Sequence, residues 1–166
     1  MSVLVMVYGQ SGTGKSTSLR NFSPDEVAVI NAMWDSFRES PIVLGGYYTM
    51  RYLTTALNQA VIQGENARIS IVIDDATYLM VGEFMRNAKV AGYQKYTDMA
   101  VSFNNLIEFA SRLPDDKIVY FMGHSDQSDD GREHFKTIGK MLDNYVTVEG
   151  KFTIVLKTVV QDGRYL

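Results

Sequence analysis

A layered α/β fold around a mainly parallel sheet is predicted by three observations. Short apolar runs of strand length alternate with segments of helical period along the chain. Several of those runs are nearly continuous in valine and isoleucine, the pattern of strands buried on both faces. The polar residues with chemistry to offer follow directly on such runs, at the carboxyl edge where open α/β sheets bind ligands. Parallel strands need crossover connections, and the helical segments between the runs supply them.

The elements follow in order. Val3 to Tyr8 is a valine-rich strand, and Lys15 to Asn21 is a short helix ended by Ser23-Pro24. Val27 to Ile30 is a second strand, and residues 35–48, with Pro41 and Gly45-Gly46, are irregular. From Thr49 to Gln63 the apolar positions Met50, Leu53, Leu57, Ala60 and Val61 recur at helical spacing, with Gly64 placed to end the helix. Ile69 to Ile73 is a third strand. Val81, Phe84, Met85 and Ala88 mark a helix, and Met99, Phe103, Leu106, Ile107 and Ala110 a longer one. Ile118 to Met122 is a fourth strand, followed by a polar stretch without periodicity, Ser125 to Glu133. Phe152 to Val160 is a strand, and Gln161-Asp162-Gly163 a turn.

The length of 166 residues suits one domain, residues 1–166, and 46% hydrophobic content is enough for a packed core. There is no cysteine, which excludes disulfides and thiolate metal sites. The start, MSVLVMVYGQ, lacks the pattern of a signal peptide, and no apolar run approaches the roughly 20 residues that span a bilayer. A cytoplasmic protein without membrane contact is expected. The net charge of −3 argues against nucleic-acid binding through general basicity. Any such contact must come from a local patch or from patches aligned by self-association.

Gly9-Gln10-Ser11-Gly12-Thr13-Gly14-Lys15-Ser16 matches the phosphate-loop pattern G-x-x-x-x-G-K-[ST] at every fixed position, between a strand and a helix. The glycines let successive N–H groups converge on phosphate oxygens, and the helix turns its positive end toward the same anion. Lys15 would reach the β- and γ-phosphates, and the Ser16 hydroxyl would ligate magnesium. Thr17 adds a hydroxyl near the α-phosphate.

Ile69 to Ile73 runs into Asp74-Asp75. An acid at the tip of an apolar strand, downstream of a phosphate loop, supplies the second half of a magnesium site. Asp74, first after the strand, is the candidate for the metal. Asp75 either orients and deprotonates the attacking water or caps the next helix, near Thr77. His124 follows the fourth strand after Gly123, where a polar residue either touches the γ-phosphate or serves structure alone. Arg132, Lys136 and Lys140 flank the polar stretch as candidates for a finger acting on a neighbour's γ-phosphate, for phosphate contacts with nucleic acid, or for a solvated face. Tyr93 and Tyr96, near Lys89 and Lys95, form an aromatic–basic mixture able to stack bases.

Taken together, Gly9 to Thr17, Ile71 to Asp75, Glu83-Phe84-Met85-Arg86, Gly123-His124-Ser125 and Lys136 to Asp143 resemble the phage-encoded AAA/RecA-like P-loop ATPases, Sak-type proteins associated with single-strand annealing and recombination. The resemblance implies a three-layer P-loop NTPase with a RecA-like central sheet, in which a further strand separates the phosphate-loop strand from the metal-aspartate strand. It implies ATP hydrolysis with Mg2+, self-association, and work on single-stranded DNA beside a single-strand binding protein in the host cytoplasm. By position, Lys15, Ser16 and Asp74 inherit the nucleotide and metal roles. His124 falls at the switch position, and Ser125 to Glu133 falls where relatives carry a DNA-contacting loop. Two other classes fit a phosphate loop in a chain of this size: a small-molecule (nucleotide) kinase, and a non-enzymatic interaction module switched by bound nucleotide.

Overall fold

The computed structural model describes residues 1–23, 26–31, 53–54, 57–58 and 70–166. Among the described residues, the strands are β1 (Val3–Gly9), β2 (Val27–Asn31), β3 (Ser70–Asp74), β4 (Ile118–Gln127), β5 (Glu133–Phe135), β6 (Ile154–Lys157), β7 (Val160–Gln161) and β8 (Arg164–Tyr165). The α-helices described from end to end are α1 (Ala76–Arg86), α2 (Gln94–Ser111) and α3 (Lys140–Tyr145), and residues 53–54 and 57–58 are also helical. The main sheet has the order β2-β3-β4-β1-β6, with every neighbour parallel. β4 separates β1 from β3, as the resemblance implies, and this mostly parallel layered α/β fold is the predicted class.

Alternation along the strands sorts the core into two faces. Leu4, Met6, Ala28, Ile30, Ile71, Ile73, Val119 and Phe121 face the α-helices, and Leu53 and Leu57 join this cluster. Val5, Val7, Val27, Val29, Val72 and Met122 form the opposite cluster, against which Leu19 packs. α2 presents Met99, Phe103, Leu106, Ile107 and Ala110 to the sheet, as its period predicts. Phe103 meets Phe121 edge-on at 6.5 Å and stacks on Phe135 at 6.1 Å. Each such buried ring contributes about 1.5–3 kcal/mol, so this trio ties α2, β4 and β5 together.

The predicted irregular stretch 35–48 and Gly64 lie outside the described residues, as does most of the helix predicted over residues 49–63. Elsewhere the structure sharpens one expectation and corrects three. The segment after Lys15 is a 3-10 helix, Ser16–Asn21. Its serine- and threonine-rich start competes for backbone groups, and the Ser18 hydroxyl donates to the Lys15 carbonyl at 2.6 Å. α1 buries its first turns through Ala76, Thr77, Leu79 and Met80, whereas Met85 is exposed. The polar stretch from Ser125 is a hairpin, because β4 continues to Gln127 and pairs with β5 antiparallel. Projecting past the sheet, it carries no apolar alternation, and buried Phe135 anchors its return strand. The strand expected from Phe152 to Val160 is divided between β6, an exposed edge strand, and β7, which pairs with β8.

Candidate functional site

Strand register brings the polar strand tips to one edge. Gly9 is opposite His124, and Asn31 is opposite Asp74. A cavity of about 430 Å³ opens there, lined by the phosphate loop, Asn31, Asp74, Asp75, His124 and Tyr165.

The loop itself depends on backbone freedom. Gly12 and Gly14 hold φ of +80° and +86°, which side chains oppose. Gly9 leaves no room for a Cβ beside Thr158, whose hydroxyl shares a 2.7 Å hydrogen bond with that of Thr13. The buried Lys15 ammonium donates to the carbonyls of Gly9 and Gln10, both at 2.9 Å. Burial lowers the pKa of Lys15, and the charges of Asp75 and Asp74 act against that shift.

Ser16 donates its hydroxyl to Asp74 Oδ2 at 2.8 Å, so the two oxygens of the expected magnesium site converge. Burial raises the pKa of Asp74, opposed by the Ser16 hydrogen bond and by the charges of Lys15 and His124. Among the described residues no cluster of three or more His, Cys, Asp or Glu side chains could hold a metal ion. One carboxylate and one hydroxyl nevertheless suit Mg2+, a hard ion that completes its shell with phosphate oxygens and water.

Asp75 has both carboxylate oxygens engaged. Oδ1 accepts the Thr77 N–H at 3.0 Å, capping α1, and Oδ2 lies 2.9 Å from His124 Nε2. The capping alternative for Asp75 is therefore realised, without removing the residue from the cavity wall. Burial raises the Asp75 pKa, and the His124 charge and the Thr77 N–H oppose the rise. His124 is held by its own N–H, which donates to Thr77 Oγ1 at 3.0 Å, and by Tyr78, edge-on at 5.7 Å. Gly123 makes this approach possible, because a Cβ there would collide with the Phe135 ring and lie 2.8 Å from Thr77 Oγ1.

Gly9 to Thr17, Asp74, Asp75 and His124 thus gather at one edge. The remaining candidates are spread out. A second cavity of about 310 Å³ adjoins the loop, lined by Gln10, Ser11, His124, Glu133 and Lys136 among others. Arg132 is exposed and pairs with Asp130 at 3.1 Å, and the Lys140 side chain lies outside the described residues. Tyr93 is 87% exposed, whereas Tyr96 packs against Phe84, with the Lys95 ammonium 5.6 Å from both the Phe84 and Tyr96 rings. Among the described residues no helix is long and apolar enough to cross a membrane.

Asn31, Thr77, Thr158 and Tyr165 were not among the sequence candidates. Asn31 carried a usable signal, since it is the first polar residue after an apolar strand, as Asp74 is. Thr158 and Tyr165 carried none, because only the fold brings them to the loop.

No protein-family model matches the chain, and no curated protein is similar to it in sequence. Solved structures are similar in fold. One was solved as an ATPase domain, with a TM-score of 0.61 and 11% identity, covering 95% of this chain and 69% of that one. Another is a prototypical ATPase from the type III secretion system of pathogenic bacteria, with a TM-score of 0.58 and 15% identity. That match covers 96% of this chain and 51% of the other, so this chain spans about half its length. With few identical residues in common, the shared feature is the fold: a three-layer RecA-like P-loop architecture with a mainly parallel central sheet.

Proposed function

We propose that the chain is a magnesium-dependent ATPase that self-associates and acts on single-stranded DNA, or with its binding protein, in phage recombination or replication. The observation that carries the ATPase reading is the convergence of Ser16 and Asp74 beside a complete phosphate loop, next to buried Asp75 and its half-buried partner His124. Bound Mg2+ would supply charge neutralisation across the β- and γ-phosphates. Gly9 to Thr17 cradle the triphosphate, and Lys15 exchanges its carbonyl partners for phosphate oxygens. Water attacks the γ-phosphorus as the bond to the bridging oxygen breaks. Asp75 receives the water proton, and ADP leaves with the bond electrons. Burial suits Asp75 to this role, since a carboxylate of raised pKa is a stronger base. His124 orients Asp75 and meets the γ-phosphate side.

The DNA reading rests on the sequence resemblance and on exposed Tyr93 near Lys89 and Lys95. Self-association supplies a cation in trans, for which Arg132, Lys136 and Lys140 are the candidates. The test is phosphate release from Mg-ATP with and without single-stranded DNA, alongside solution mass with and without nucleotide. DNA stimulation with nucleotide-dependent assembly supports the reading. Absence of hydrolysis under both conditions, together with no nucleotide-dependent DNA binding, sinks it.

The second cavity favours one competing reading, a kinase whose acceptor sits beside the γ-phosphate. Product analysis with nucleoside monophosphates separates the two. Transfer to the acceptor in preference to water would replace the ATPase reading.

A further inference from the structure

A nucleoside triphosphate has a second half, the ribose and base, which the phosphate loop does not hold. The geometry points to Tyr165 as the platform for that nucleoside half, an inference that rests on the nucleotide reading above.

Its support begins with a well-defined hairpin. Asp162 and Gly163, with φ of +51° and +73°, form the two-residue turn joining β7 to β8, the sign pattern of a type I′ turn. Val159 and Leu166 exchange backbone hydrogen bonds of 3.0 and 2.9 Å at its base. Thr158 fastens this hairpin to the phosphate loop, donating its N–H to the Tyr8 carbonyl at 2.8 Å and sharing its hydroxyl with Thr13. The hairpin is thus held at the loop by the chain just before it.

Tyr165 then lies directly on Gly14. A Cβ at Gly14 would be 2.8 Å from Tyr165 Cδ1 and 3.3 Å from Cε1, so the ring needs glycine beneath it. The same ring lines the cavity that contains Lys15, Ser16 and Asp74, yet the residue is 66% exposed. The sheet order gives direction. Asp74, Asp75 and His124 come from β3 and β4, on one side of β1, whereas the hairpin follows β6 on the other. A triphosphate whose γ-phosphate meets the acids directs its nucleoside toward the β6 side. An uncharged ring there cannot neutralise phosphate, but it offers a stacking face, and every base has a matching one.

Calorimetric titration of wild type, Tyr165→Ala and Tyr165→Phe with ATP, GTP and inorganic tripolyphosphate, each with Mg2+, tests this. Tyr165→Ala should weaken ATP and GTP by roughly 5- to 150-fold, the range of one lost base–aromatic stack. Tripolyphosphate affinity should stay within about twofold of wild type, and Tyr165→Phe should bind all three as wild type does. An equal loss for tripolyphosphate would overturn the inference and make Tyr165 a wedge that shapes the loop. Unchanged ATP and GTP affinity in Tyr165→Ala would overturn it too. Wild type binding none of the three would instead reject the nucleotide reading on which it rests.

Discussion

The two walls of the 430 Å³ cavity are built on opposite principles. On the β3/β4 side, Asp74 and Asp75 are buried, hydrogen-bonded and shifted in pKa, on tips of central strands packed on both faces. On the β6 side, Tyr165 is exposed, at the end of a two-stranded hairpin beyond an edge strand. Reaction chemistry needs groups fixed within fractions of an ångström, and only the sheet interior over-determines positions that closely. Holding a nucleoside by a ring face tolerates small displacements, so an exposed hairpin suffices. The difference teaches which wall resists mutation in structure and which in rate.

The largest effect should come from Asp75→Asn. Asparagine caps a helix about as well as aspartate, so α1 should persist while the proposed proton acceptor is lost. Hydrolysis should fall about 10²- to 10⁴-fold with ATP affinity little changed. A loss of less than about threefold would leave Asp75 as a cap alone. Lys15→Ala should follow, lowering turnover about 10²- to 10³-fold. Unlike Tyr165→Ala, it should also weaken tripolyphosphate, and equal tripolyphosphate binding by the two variants would erase the proposed division of labour.

Gly123→Ala probes the rigid wall through packing. Its methyl group meets Phe135 and Thr77, at a typical overpacking cost of about 1–3 kcal/mol. Thermal melting should register about 2–4 °C per kcal/mol, and an unshifted melting temperature would deny that this wall is tightly specified.

The smallest expected effect is a gain in stability from Asp74→Asn. Burial raises the folded-state pKa of Asp74 above its unfolded value, so the native state holds that proton more tightly. Stability from this group therefore falls as pH rises from the ordinary carboxylate range through the raised value. The variant, measured without nucleotide, should be more stable than wild type near neutral pH, with the advantage shrinking in acid. Urea titrations at both pH values check this, and a pH-independent difference would contradict the burial account.

Much of the rigid wall was legible because its signals are local. Gly9 to Ser16 carries its own pattern, and Asp74 announces itself by ending an apolar run. The α2 face from Met99 to Ala110 was readable from period alone, since a helix against a sheet must align its apolar residues. The β4–β5 hairpin was not, because polar strands that project from a sheet lack alternation. Whether Asp75 caps a helix or faces the cavity could not be read from position, and the fold has it do both.

By itself, then, the sequence determined the four strands of the main sheet that are continuous apolar runs, the phosphate loop and the strand-end acid, all features whose physics is complete within a short stretch of chain. Tertiary structure alone decided that Asp75 meets His124, and that Thr158 and Tyr165 close on Gly9 and Gly14 from the far end of the chain. The reason is physical. Parallel pairing joins strands distant in sequence, and which tips become neighbours depends on sheet order and register, which no short stretch of residues encodes.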